Sequence, residues 1–393
     1  MGIRYQEAGR LMNGHDGGIT KVSFSPEGSY IATAGLDGRV CVWDTESRDL
    51  LYSFNGSCPV LSLVWIPPDE DTILCGLQDG NMAILRIAPH HITVTGFWAH
   101  AYPVECLALN SGDNRLASGA HRELLVWNWI ESTGMFILDN AAPEPLKSRW
   151  NQADEEIVTS VHWTTPTGSP ALLLVTFMYH GVMLVDTDSW TRLRTVAPNG
   201  QIASASLSDD GQRLAICNTV RGFQIYCMRT GASLAAIPHG DGEDAHPKSV
   251  LFCHGSLALL GGSSTGELNV WNIIDTVTKG PTLNVPESEN LEPTVLHTLP
   301  VPRRAKASAV DAYYFDDADE FFIAAGVMND ASSSMCVLWK ATERGEGRDA
   351  EQSDQLRASR LSPKALATIL VVLGAAFMAY FWISMDVIEV ADA

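Results

Sequence analysis

From residue 14 the chain alternates apolar and polar positions in short bursts. The stretch "GHDGGITKVSFSPEGSYIATAGLDGRVCVWDTESRDLLYSFNG" holds four of them, centred on Val22, Ile31, Val42 and Leu51. The segments between them, "SPEG", "LDG" and "DTES", carry the Gly, Pro, Asp and Ser of tight reversals. A period of two places successive side chains on opposite faces of an extended strand, and those residues supply the dihedrals a reversal needs. The pattern predicts a four-stranded antiparallel meander over residues 14–56.

Six further units follow at a similar spacing: "CPVLSLVWIPPDEDTILCGLQDGNMAIL", "YPVECLALNSGDNRLASGAHRELLVWN", "IVTSVHWTTPTGSPALLLVTFMYHGVMLVD", "IASASLSDDGQRLAICNTVRGFQIY", "KSVLFCHGSLALLGGSSTGELNVWN" and "SAVDAYYFDDADEFFIAAGVMNDASSSMCVLWKA". A unit of this length cannot bury its own apolar face, so a repeated meander implies stacking of neighbours. The last unit stops after its third strand, at Trp339. "RYQEAGRLM", ahead of Gly14, reads as the missing fourth. Pairing the first strand of the chain with the last unit closes a ring and removes both open edges.

The first unit closely resembles a WD40 repeat, with its Gly14-His15 opening, Asp37-Gly38 turn and Trp43-Asp44 close. The chain as a whole is most similar to a degenerate group of fungal WD40-repeat proteins, above all around "LALLGGSSTGELNVWN". The resemblance implies an all-β, seven-bladed propeller with four-stranded blades over residues 4–341, closed by the N-terminal strand. It also implies a buried network of His15, Thr33, Asp37 and Trp43, in which imidazole, hydroxyl, carboxylate and indole satisfy one another. Trp127, Trp271 and Trp339 stand where later blades close. The turn Asp is replaced elsewhere, with His121, His180, Arg221 and Thr265 at or near its place, so only the first unit is expected to keep the full network. Apolar packing should hold the others. Residues 139–156 and 275–293 read as long loops, the first between the third and fourth blades and the second inside the sixth.

One apolar run has no place in this scheme. "LATILVVLGAAFMAYFWISM" carries no charge. As a helix, Ala365–Met385 would span roughly 30 Å, the thickness of a bilayer core. A propeller has no interior for a helix apolar on every side. Arg357, Arg360 and Lys364 precede the run, and Asp386, Glu389 and Asp392 follow it. Positive charge favours the cytosolic side, so a transmembrane helix at 364–386 is expected to act as a tail anchor. The propeller would then face the cytosol, and residues 387–393 would form a short tail on the far side. An acidic far flank resembles endoplasmic-reticulum anchors more than mitochondrial outer-membrane ones. A GPI signal would need a secretory leader, and "MGIRYQ" has no apolar stretch to serve as one. Residues 342–363 are polar and without period, and read as a disordered tether with a coil span of about 25 Å.

Charge narrows the partners. The net charge is −20 and sits almost wholly before Thr342. So acidic a body repels phosphate backbones, which excludes nucleic acid as the main partner. "PVPRRAKAS", with Arg303, Arg304 and Lys306, is the one dense basic stretch in the acidic body and a candidate contact for a partner protein or for anionic lipid. The clusters at 69–71, 154–156 and 316–320 read as solvated loops.

Catalytic signals are weak. "GSSTG" at 262–266 matches G-x-S-x-G literally, but a strand follows it where a nucleophile elbow needs a helix. The eight cysteines contain no C-x-x-C and several lie in apolar runs, as core thiols do. The histidines have no zinc spacing. Neither cofactor nor small-molecule substrate is implied. The expected function is a non-catalytic protein-interaction scaffold at a membrane, with other proteins and, through the anchor, membrane lipid as partners. The alternative is a guanine-nucleotide exchange factor for a small GTPase of vesicle-coat assembly. The endoplasmic-reticulum exchange factor has the same layout of propeller and single span, although its glycine-rich loop has no counterpart in "SPEGSYIATAG".

Overall fold

The computed structural model describes residues 3–343 apart from 90, 111, 146–154, 166–170, 199, 240–247, 263–265, 275–292, 302–305 and 329–333. Its strands run from Ile3 to Glu343 and form seven four-stranded antiparallel sheets. The first blade is β2 (Ile19–Phe24), β3 (Tyr30–Gly35), β4 (Arg39–Asp44) and β5 (Leu50–Asn55). The second is β6 (Val60–Trp65), β7 (Thr72–Leu77), β8 (Asn81–Ala88) and β9 (His91–Trp98). The third is β10 (Cys106–Asn110), β11 (Arg115–Ala120), β12 (Glu123–Ile130) and β13 (Met135–Ala141). The fourth is β14 (Val158–Thr164), β15 (Leu172–Phe177), β16 (Gly181–Asp186) and β17 (Thr191–Val196). The fifth is β18 (Ile202–Leu207), β19 (Arg213–Asn218), β20 (Gly222–Cys227) and β21 (Ser233–Ile237). The sixth is β22 (Val250–Cys253), β23 (Ala258–Gly262), β24 (Glu267–Asn272) and β25 (Thr294–Pro300).

The seventh blade comes from both ends of the chain. β26 (Lys306–Phe315), β27 (Glu320–Met328) and β28 (Ser334–Glu343) are joined by β1 (Ile3–His15), in the order β1-β28-β27-β26. The β1–β28 ladder runs from Ile3↔Glu343 to His15↔Ser334, with irregularities at Glu7/Gly9 and Leu11/His15.

Burial explains why the alternation is clean in some strands and lost in others. Each blade is packed on both faces by its neighbours, so a middle strand such as β19 (RLAICN) is buried throughout. Buried parallel strands behave the same way for the same reason. Outer strands have one wet face, and β5 and β9 alternate accordingly. The core is divided into seams between blades. Leu11, Ala324 and Leu338 of the seventh meet Val22, Ile31 and Trp43 of the first. Val270 and Leu299 of the sixth meet Ile323 and Trp339 of the seventh. Each seam holds aliphatic side chains that no single sheet could bury alone.

The long loop expected at 139–156 begins later than its composition suggested. β13 continues through Ala141, and the Ala142 N–H donates to the Leu124 carbonyl at 2.9 Å. A strand edge with a partner available keeps pairing, even through "DNAA". β23 ends at Gly262 and β24 begins at Glu267, so a strand and not a helix follows "GSSTG". The expected tether (342–363) and transmembrane helix (364–386) lie outside the described residues, save for the end of β28. Among the described residues no helix is long and apolar enough to cross a membrane.

Candidate functional site

Antiparallel strands send their turns alternately to the two faces of the ring. The Gly56 N–H donates to Gly38 O at 2.9 Å, and the His100 N–H donates to Gly80 O at 2.9 Å. The turn between second and third strands therefore meets the loop that leads to the next blade. These elements share one face, here called the His15 face.

At that face the first blade carries a continuous relay. The Trp43 indole donates to Thr33 Oγ1 at 3.0 Å, and Thr33 Oγ1 lies 2.8 Å from His15 Nε2. His15 Nδ1 lies 3.1 Å from Asp37 Oδ1. The Asp37 carboxylate only accepts, so Nδ1 donates to it, and Nε2, bare in the neutral ring, accepts the proton of the Thr33 hydroxyl. That assigns the neutral His15 tautomer with its proton on Nδ1, directed at the carboxylate. Asp37 also accepts the backbone N–H groups of Asp16 (2.8 Å) and Arg39 (3.0 Å). Burial alone would raise its carboxyl. The Arg39 N–H, the His15 ring and the Asp16 N–H together hold it below the usual range. Arg39 then pairs with Asp16 at 2.6 Å. The relay ties the end of β1 to the β3–β4 turn and so fixes a loop of the His15 face from beneath.

The third blade has the same relay in altered residues, which corrects the expectation that only the first keeps it. The Trp127 indole donates to Ser118 Oγ at 2.8 Å, and Ser118 Oγ lies 2.7 Å from His100 Nε2. His100 Nδ1 lies 3.0 Å from Glu123 Oε2, which also accepts the Ala101 N–H at 3.1 Å. Burial lowers His100, with Glu123 opposing. Histidine and hydroxyl are 18 residues apart in both blades, the one signal that would have disclosed the second relay. The carboxylate is 23 residues from its histidine instead of 22, at the start of β12 rather than in the turn. Glutamate's extra methylene makes up the offset.

The other closing tryptophans lack this chemistry. Trp271 packs against Phe223, with ring centroids 5.4 Å apart, and a side chain at Gly261 would collide with both. Trp339 is buried in the seam between the sixth and seventh blades, and its indole N–H has no partner among the described residues. Lys306 is exposed at the start of β26, on the His15 face. Arg303, Arg304, Arg357, Arg360 and Lys364 lie outside the described residues. Glu70, expected in a solvated loop, instead caps the β2–β3 turn: it accepts the Ser25 hydroxyl and the N–H groups of Glu27 (3.0 Å) and Ser29 (3.3 Å). No cluster of three or more potential metal ligands occurs among the described residues.

Comparison with known proteins agrees with this geometry. The model of the WD domain, G-beta repeat family matches residues 7–44, the run from β1 to the end of β4. WD repeat-containing protein 90 of Mus musculus is 33% identical over 121 residues, which cover 26% of this chain and 6% of that protein. Guanine nucleotide-binding protein subunit beta of Solanum tuberosum is 22% identical over 292 residues, 72% of this chain and 74% of the relative. The same subunit of Oryza sativa subsp. indica is 23% identical over 302 residues, again 72% and 74%.

Proposed function

Because the chain is a WD40-repeat β-propeller, we propose that it works as a non-catalytic platform for other proteins, held at a membrane by the run 365–385. The observation that carries the docking half is the pair of relays. Two loops of the His15 face are fastened to the blade interior by buried hydrogen bonds. A rigid loop loses little entropy when a partner seats on it. Likeness to proteins named as subunits of a larger assembly supports the same reading. The anchoring half rests on the apolar run and its opposite flanking charges.

The chain leaves the propeller after β28, the third strand in blade order, on the face opposite His15. The His15 face, where Lys306 begins β26, is the docking side in this reading. An endoplasmic-reticulum membrane fits the acidic far flank best. Two measurements test the whole. Alkaline carbonate should leave the chain in the membrane pellet, and removing 365–393 should release it; extraction of the intact chain defeats the anchor. Reversing Arg303, Arg304 and Lys306 to Glu should abolish co-purification of partners, while reversing Glu287, Glu289 and Glu292 to Lys should not. Loss in the second set alone would move docking to the opposite face.

A further inference from the structure

The boundary between the fourth and fifth blades holds chemistry that neither the relays nor the docking face uses. There β17 stands across from β20 and β21, and the cavity between them measures about 830 Å³. That lies in the range of small-molecule sites rather than of packing defects. Arg194 enters it from β17 and Arg221 from the turn that opens β20. Neither guanidinium has a carboxylate partner among the described residues. Elsewhere Arg10, Arg39, Arg115 and Arg213 are each paired with an acid. In a chain of net charge −20, two arginines in one cleft with no carboxylate partner among the described residues form a local field of the opposite sign.

The rest of the described lining mixes hydrogen-bonding side chains with Val196, Ala197, Pro198, Gly231 and Ala236. Thr195 Oγ1 is buried without a partner, and Thr230 and Ser233 add two more hydroxyls. The Tyr226 hydroxyl donates to Gln224 Oε1 at 3.2 Å, and the same oxygen receives Asn218 Nδ2 at 3.4 Å, so the donor left to Gln224 is its own amide. Burial raises the Tyr226 phenol, which stays protonated, while Arg221 opposes. Among the described residues no acid lines the cavity. At the Thr230-Gly231 end, a side chain on Gly231 would come within 4.0 Å of Arg194 Nη1, so the guanidinium lies over that turn.

We propose that this cleft binds a small phosphorylated molecule through Arg194 and Arg221. Phosphate oxygens only accept, and guanidinium is the side chain whose fork matches them. Two guanidinium groups with hydroxyl and amide donors, and no acid among the described lining residues, suit a phosphate ester and are poorly matched to an amine. Either a soluble ester or the head group of a phosphorylated lipid presents this chemistry. The site lies on the circumference, and is independent of docking at either face.

Isothermal titration of the detergent-solubilised full chain with pyrophosphate and with inositol 1,4-bisphosphate tests it. Saturable binding is expected, weakened tenfold or more by Arg194→Gln and by Arg221→Gln, with the unliganded melting temperature unchanged. Arg192→Gln, which lies outside the cavity, should bind as the parent does. Tighter binding of the inositol ester assigns the ligand to a lipid head group; tighter binding of pyrophosphate assigns it to a soluble ester. Failure of both probes to bind, or binding that survives both cleft substitutions, overturns the proposal. So does equal competition by polyglutamate, which would make the cleft a seat for acidic peptide.

Discussion

Thr33→Val is the sharpest test of the relay, because it removes one oxygen and leaves the shape. Thr33 is fully buried. Its hydroxyl accepts from Trp43 at 3.0 Å and donates to His15 Nε2 across 2.8 Å, so valine strands two buried polar groups at once. Each stranded group costs about 1–3 kcal/mol, giving roughly 2–6 kcal/mol in all. For about 340 residues, with an unfolding entropy of about 2.1 cal/mol/K per residue, 1 kcal/mol shifts Tm by about 1.4 °C. Thr33→Val should therefore lower Tm by about 3–8 °C. Asp37→Ala strands only the His15 Nδ1–H in the interior, since the Asp16 and Arg39 N–H groups can reach water; about 1–3 kcal/mol follows. Thr33→Ser should restore most of the loss, as the third blade already uses serine. Thermal melts of the solubilised chain followed by near-UV circular dichroism would rank the variants. A Thr33→Val melt no lower than that of Asp37→Ala, or no recovery with serine, would refute the donor order assigned here.

Removing residues 1–13 should leave β28 with a bare edge, and size-exclusion chromatography should show association or aggregation; a monomer that melts as cooperatively as the parent would contradict closure by β1. Acid should weaken the fold in a defined window. Burial pushes His162 and His254 down to about 4, whereas the unfolded chain protonates histidine near 6.5. Stability they contribute is complete above about pH 6.5 and lost as pH falls toward 4. Buried Asp311, raised by burial, acts in the opposite direction at the lower end of that window. Urea midpoints at pH 7, 5.5 and 4.5 should fall in that order, and His162→Gln should flatten the slope.

What the sequence disclosed follows from what is local. The strands of the first blade, its turn residues and the missing fourth strand of the last unit all announce themselves within a few residues. So does the spacing from His15 to Thr33. The relay of the third blade was hidden by two exchanges, Ser118 for threonine and Glu123 for an aspartate one position earlier. Each keeps the hydrogen bond while changing the letter. Glu70 looked like one acid among three, because its role as a cap depends on the first blade's turn lying beside the second blade. The cleft between Arg194 and Arg221 is a tertiary feature throughout. The two arginines lie far apart in sequence, and only the stacking of two blades sets them on one cavity.

The offset closure also decides how the propeller bears tension. In a ring whose blades began and ended with the chain, the final strand would be an outer one, zipped along a single side. Here the final strand among the described residues is β28, with β1 on one flank and β27 on the other. At its exit Glu343 stands opposite Ile3, and Thr342 opposite both Arg4 and Glu320. A pull transmitted through the residues beyond Glu343 must open two ladders together before β28 peels away. β1 thus acts as a mechanical splint along β28, so a load applied past Glu343 is shared between two ladders.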